Sequence, residues 1–283
     1  MDFKQLVLLA LQVSVIGTVF GFGLEASIED LGHLARRPGL LARSFVSVFV
    51  LMPVVAVMLV RSLDFPHTTE VVLIALAVCP VPPLLPTRQG KAGGQLSYGL
   101  ALVALLSLAS IVTIPATEAI LQHLFGRPLA ISPAAIAKVV LKTTLVPLAA
   151  GVAVHTIWPA AARRLGTPAR VVSNVLLPLA VVVLLAGAYS AIWAAVGNGT
   201  VLAIVIFTVA GLAIGHLLGG PGRGERVVLA FSTACRHPAL AVAIATNAFP
   251  DERFGATMLL YLLVNILAGM PYLVWQRRMA AAA

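Results

Sequence analysis

Arg236 and His237 stand in the run Ser232-Thr233-Ala234-Cys235-Arg236-His237-Pro238, in the middle of an otherwise apolar stretch from Gly224 to Phe249. A fixed charge at that depth in a membrane helix costs roughly 3 kcal/mol on insertion scales. The proline beside it removes a backbone donor and breaks the helix. A charge joined to a break points to a polar cavity for a substrate or an ion. Arginine presents a planar fork suited to carboxylate or phosphate. Histidine titrates near neutral pH, which would allow proton coupling. Two alternatives stay open for these residues. Arg236 either meets an anion or is a structural charge capped by the carbonyls of the break. His237 either carries protons or is a neutral hydrogen-bonding residue.

A second break lies far upstream. Between Pro80 and Pro86 the chain has four prolines, in Cys79-Pro80-Val81-Pro82-Pro83-Leu84-Leu85-Pro86-Thr87. No continuous helix accommodates them. Unwound backbone at membrane depth is tolerated only where protein buries it or water lines it. Two interrupted helices at corresponding places in two halves of a chain mark a transporter site between inverted repeats. The halves expected here are about 1–120 and 130–283, within one transmembrane domain.

The elements that must hold these breaks are membrane helices. The 283 residues are 60% apolar and only 10% charged, against about 25% charged in a soluble domain. Nine segments are long and apolar enough to span: 5–24, 39–61, 69–92, 95–118, 133–156, 169–194, 199–219, 224–249 and 254–276. The first reads as a span rather than a secretory signal, because no small-residue cleavage site follows it. The fold class is therefore an all-α polytopic membrane protein of about nine helices.

Basic residues give the orientation. The joints after odd-numbered spans carry Arg36, Arg37, Arg43, Arg88, Lys91, Arg163, Arg164, Arg170, Arg223, Arg226, Arg277 and Arg278. The opposite joints carry only Lys4, Arg61, Arg127 and Arg253. Twelve against four puts the N-terminus outside and the C-terminus in the cytoplasm, with a bacterial inner membrane as the expected location. The same bias accounts for the net charge of +9 without nucleic acid. Lys138 and Lys142 fall inside a span, and Lys142 either snorkels to the outer surface or lines the cavity. Cys79 and Cys235 read as packing residues. No metalloprotease motif, catalytic dyad or phosphate-binding loop is present, so neither an enzyme nor an ATP-driven pump is expected, and no cofactor or metal.

The pattern resembles the bile acid:sodium symporter superfamily over most of the chain. The residues that carry the resemblance are Phe20-Gly21-Phe22-Gly23-Leu24 with Ser27 and Asp30, Met52-Pro53, Cys79-Pro80 with Gly94, and Ser232 to Ala243 with Asn265 and Gly269. The resemblance implies a helical panel packed against a core whose two broken helices cross near the midplane, in a nine-span form that lacks the family's first helix. Its sodium-coupled members carry a serine-asparagine pair that aligns with Leu85 and Pro86, and hydroxyl residues that align with Gly99 and Val103. Their second crossover has a glutamate aligning with Ser232 and a glutamine aligning with Arg236. Those positions have lost oxygen ligands and gained a guanidinium. No Asp or Glu is expected at mid-depth, since Glu70 and Glu118 fall near span ends. Sodium beside Arg236 would meet like charge in a low dielectric, so both sodium sites are expected to be absent.

The reading is a secondary transporter for a small organic anion, sodium-independent and either proton-coupled or facilitated. Pro83, Thr87, Thr233, Arg236, His237 and Asn265 are the expected cavity lining. Its partners are the anion, the lipid bilayer and conceivably protons, and the oligomeric state is open. A sodium-coupled symporter is one alternative. A membrane sensor or scaffold on a transporter fold is another, though no soluble segment is long enough for a signalling domain.

Overall fold

The computed structural model describes residues 3–125 and 132–281. Arg127, assigned to an outer joint, lies outside the described residues. Among the described residues there are helices and connections but no strand. The main helices are α1 (Phe3–Glu25), α2 (Pro38–Ser62), α3 (His67–Val78), α4 (Leu85–Lys91), α5 (Leu96–Phe125), α6 (Pro133–Ile157), α7 (Pro159–Gly187), α8 (Tyr189–Ala195), α9 (Thr200–Leu218), α10 (Arg223–Ala234), α11 (Pro238–Ala248) and α12 (Gly255–Ala281). Six of these segments are long and apolar enough to cross a membrane: α2, α5, α6, α9, α10 with α11, and α12. The bent pair α7 and α8 brings the number to seven. With the family assignment below, the protein is an integral membrane protein.

Both expected breaks are present. The third apolar segment stops at Val78, runs unwound from Cys79 to Leu84, and resumes as α4. The eighth stops at Ala234 and resumes at Pro238, which occupies the first helical position of α11, where a missing N–H costs nothing. A third break has no counterpart in the sequence reading. α7 begins at Pro159, carries Arg163 and Arg164 within the helix, and bends by 71° against α8 at Ala188.

Two spans contain a widened π turn, Val46–Leu51 in α2 and Leu141–Leu145 in α6. Each runs up to a proline, Pro53 and Pro147. A proline ring crowds the carbonyl four residues back and offers no amide hydrogen. A local i→i+5 register accommodates both defects.

The helices pack in two groups. α1 lies along α6 and α7. The broken pair sits in the other group, with α11 on α3, α10 on α4, and α9 along both α10 and α12. The α10–α11 segment is the most enclosed, with 78% of its apolar window buried against 39–50% in the other five long spans. Small residues let the backbones meet. Gly211, Gly215 and Gly219 recur every four residues and form one stripe on α9. A Cβ on any of them would collide with the backbone of α10, at Ala234, Leu229–Ala230 and Arg226 respectively. Gly23 and Gly151 make the same approach between α1 and α6. Close backbone contact through small residues is how helices gain dispersion energy where lipid removes the hydrophobic drive. At one end of the bundle an ion pair, Arg37 with Glu225, ties the loop before α2 to α10. Burial and the charge of Arg37 hold the nearby His33 below its ordinary pKa.

Gly215→Leu should wedge α9 off α10 and lower the Tm of the purified protein by on the order of 5–10 °C. Gly17→Ala, at a position with open space beyond it, should leave the Tm unchanged in the same thermal scan.

Candidate functional site

The two breaks meet. The His237 amide donates to the Pro80 carbonyl at 3.0 Å, one unwound strand to the other. Arg236 is 1% exposed, the largest side chain fully enclosed by the protein. Its Nη1 donates to the Cys79 carbonyl at 3.1 Å and its Nη2 to the Val48 carbonyl at 2.6 Å. Its own backbone amide donates to the Tyr261 hydroxyl at 2.9 Å. Both accepting carbonyls are free for a physical reason. Cys79 caps the C-terminus of α3, where the last carbonyls lack intrahelical donors and carry partial negative charge. Val48 lies in the π turn, and the residue five positions on is Pro53, which has no amide hydrogen. In this structure the Arg236 guanidinium is capped by carbonyls of the crossover. Among the described residues no carboxylate pairs with it.

His237 is buried at 4% exposure and caps α11, its Nδ1 accepting from the Leu240 amide at 3.4 Å. An accepting Nδ1 places the neutral ring's proton on Nε2, which has no hydrogen-bond partner. Thr233 turns into the protein, bonding Ser47 Oγ at 2.6 Å and the Leu229 carbonyl at 2.8 Å. Pro83 is buried and Thr87 is exposed on α4. Lys142 lies on the exposed face of its π turn.

Ser232 and Gly99, two of the positions that the resemblance aligns with sodium ligands, meet a residue that the sequence reading passed over, while Arg236 stands apart on the Cys79 and Val48 carbonyls. Gln89 is 2% exposed. Its Nε2 donates to Ser232 Oγ at 2.8 Å and to the Val228 carbonyl at 3.0 Å. A Cβ at Gly99 would collide with the Gln89 amide oxygen. Leu85 and Val103 belong to the apolar cluster around it. A single glutamine beside Arg88 and Lys91 resembles the polar cap of a cytoplasmic helix end. Only the glycine at Gly99 hinted at a buried side chain.

Asn265 is a hub. Its Nδ2 donates to Thr208 Oγ1 at 3.1 Å and to the Ala234 carbonyl at 3.0 Å. Its Oδ1 accepts from Cys235 Sγ at 3.1 Å and from Arg88 Nη1 at 3.3 Å. Arg88 also donates to the Ile266 carbonyl and stacks over Phe231, 4.8 Å from the ring centre. It enters a notch on α12 that exists because residue 269 is glycine. Arg88, read from sequence chiefly as a topology marker, therefore reaches into the crossover.

A cavity of about 230 Å³ lies on the far side of the crossover from Arg88, between α2, α3, α5 and α11. His67, Glu70, Glu118, Val78, Ile244 and Phe249 line it. The six residues expected to line a substrate cavity lie outside this one. α5 continues through Pro115 to Phe125, beyond the expected end at residue 118. Glu118 stands in its last two turns and is buried among the helices at 4% exposure.

With two broken helices joined at their breaks, the comparisons with known proteins can be placed on the structure. The profile of the sodium bile acid symporter family matches residues 12–200, more than half of the chain. The chain belongs to that family. Its members are transporters rather than enzymes. The match covers the first broken helix and ends before the second. A chloroplast protein of Arabidopsis thaliana, described as the probable sodium/metabolite cotransporter BASS3, is 23% identical over 200 residues, covering 71% of this chain and 46% of that protein. The chain thus spans about half the length of the curated relative it matches.

Arg236→Ala should leave the Val48 and Cys79 carbonyls buried and unpaired, a loss of at least about 3 kcal/mol at typical charged hydrogen-bond values. The expected result is little monodisperse protein on size-exclusion chromatography, with Arg236→Lys partly restored and measurably lower in Tm than the wild type.

Proposed function

We propose that the chain is a secondary transporter that moves a small organic anion without sodium, by proton coupling or facilitated diffusion. The observation that carries this reading is the Gln89 amide. Sodium needs oxygen acceptors around it, and here a side-chain NH₂ donates to Ser232 Oγ and the Val228 carbonyl instead. At the second aligned position the Arg236 guanidinium already satisfies the carbonyls of Cys79 and Val48. In this reading the Gln89 amide and the Arg236 guanidinium, both attached to the chain, stand where sodium would be held.

The architecture proposed is nine spans. The six long apolar helices, the bent pair α7–α8, and the shorter apolar stretches of α1 and α3 together make nine. α1, α6 and α7 form the panel, and the remaining helices form the core. The halves 1–120 and 130–283 make one inverted-repeat domain with corresponding broken helices, α3–α4 and α10–α11. Panel and core would rock about the fixed crossover. The positive-inside count supports an outside N-terminus and a cytoplasmic C-terminus in a bacterial inner membrane. Thr87, Arg236, His237 and Asn265 keep a place at the crossover in this reading, with Arg236 as its brace. Pro83 and Thr233 shape the break from within. Proton coupling through His237 would break its cap on α11, because a proton on Nδ1 removes the acceptor for Leu240.

Sodium coupling is the second reading, favoured by the description of the Arabidopsis relative as a sodium/metabolite cotransporter. Proteoliposome uptake of a panel of labelled carboxylates decides between the two. Uptake should be unchanged when choline replaces sodium, and either should follow or should ignore an imposed pH gradient. Strict sodium dependence would overturn the proposal.

Gln89→Leu should remove both hydrogen bonds and lower the Tm by several degrees. It should not make uptake sodium-dependent, which the same assay checks.

A further inference from the structure

We infer that Arg88, not Arg236, is the guanidinium that receives the carboxylate of an amphipathic organic anion. This rests on the transporter reading and deepens it. The two arginines of the crossover are held in opposite ways. Arg236 is 1% exposed and its bond to the Val48 carbonyl is 2.6 Å. No ligand reaches it without opening the core. Arg88 is half-buried. Its hydrogen bonds run 3.1 Å to the Ile266 carbonyl, 3.3 Å to Asn265 Oδ1, 3.4 Å to the Asn265 carbonyl and 3.6 Å to Cys235 Sγ. Charge-assisted bonds to a carboxylate settle near 2.7–2.9 Å. Arg88 is parked on neutral acceptors at longer range, and among the described residues no carboxylate pairs with it.

The surroundings define the ligand. Lys91, three residues beyond Arg88 on α4, is exposed, so a second cation lies one turn away on the same face. The Phe231 ring stacks on the guanidinium face, so a carboxylate would bind by taking the places of the neutral acceptors now on Nη1 and Nη2. The exposed side chain of Ile266, whose carbonyl accepts from Arg88, supplies an apolar bed. A carboxylate head with an apolar body fits these groups. A polyanion such as a nucleotide would leave charge against the apolar bed. Gly269 belongs to the site from behind, since any Cβ there would occupy the space of Arg88 Nη2.

The test uses the full-length protein in nanodiscs, titrated with benzoate, octanoate and the neutral benzyl alcohol in thermal-shift assays. Both carboxylates should raise the Tm of the wild type, and benzyl alcohol should not. Arg88→Gln should weaken the apparent affinity at least about tenfold, with Arg88→Lys between the two. Gly269→Ala keeps the charge but displaces the guanidinium, and should weaken binding as well, so the inference stays testable if Arg88→Gln does not fold. An unchanged response in Arg88→Gln or, should that variant fail to fold, in Gly269→Ala overturns the inference. So does a wild type that neither carboxylate stabilises. Uptake of the same carboxylates separates this result from the transporter reading. Arg88-dependent binding without any uptake would defeat transport and leave the site. Uptake that is equal in wild type and Arg88→Gln would defeat the site and leave transport.

Discussion

The crossover depends on one constraint: unwound backbone inside a membrane must find every hydrogen-bond partner within the protein. Arg236 meets it with a charge. Its guanidinium joins the end of α3 to the π turn of α2, while the neighbouring amide of His237 joins the two breaks directly. Three interruptions that would each be costly alone satisfy one another. The proline at residue 53 leaves the Val48 carbonyl without an amide in the π register, the end of α3 leaves Cys79 open, and the break before Pro238 frees Arg236 to reach both. A neutral residue could pair one carbonyl. A fork with several donors pairs two and also opposes the negative end of the half-helix.

The remaining polar groups follow from that arrangement. Asn265 serves the carbonyl of Ala234, the last residue of α10, and accepts from Cys235 and Arg88. Gln89 serves Val228 and Ser232 on the opposite side of the same helix. Donors attached to side chains thus stand along α10 up to the break.

Backbone contact gives this centre its stiffness. The glycine stripe of α9 seats α10 directly on its backbone, and Gly23 with Gly151 does the same for α1 and α6. Such contacts leave little slack, which suits two rigid groups moving against each other more than a deforming core. The cavity between α3, α5 and α11 contains Glu70 and Glu118 but neither crossover arginine.

Much of this was legible in the amino-acid order. Membrane class follows from composition, because an excess of apolar residues has no soluble core to enter. The two broken helices follow from proline, whose missing donor and bulky ring are local properties. The special standing of Arg236 follows from its type at that depth. Other features depend on where side chains point after packing. The sequence marked Arg236, but only the tertiary structure decided that backbone carbonyls hold it, since those carbonyls come from segments 157 and 188 residues away. Gln89 and Arg88 carry no local signal, because both sit in a stretch that reads as a cytoplasmic helix end. The bend at Ala188 follows a single glycine, Gly187, inside an apolar stretch, and the continuation of α5 beyond Glu118 has no strong former to announce it. Sequence alone determined where the backbone must break. Packing alone decided which side chains repair the breaks, because a hydrogen bond across the fold depends on distances that neighbouring residues do not encode.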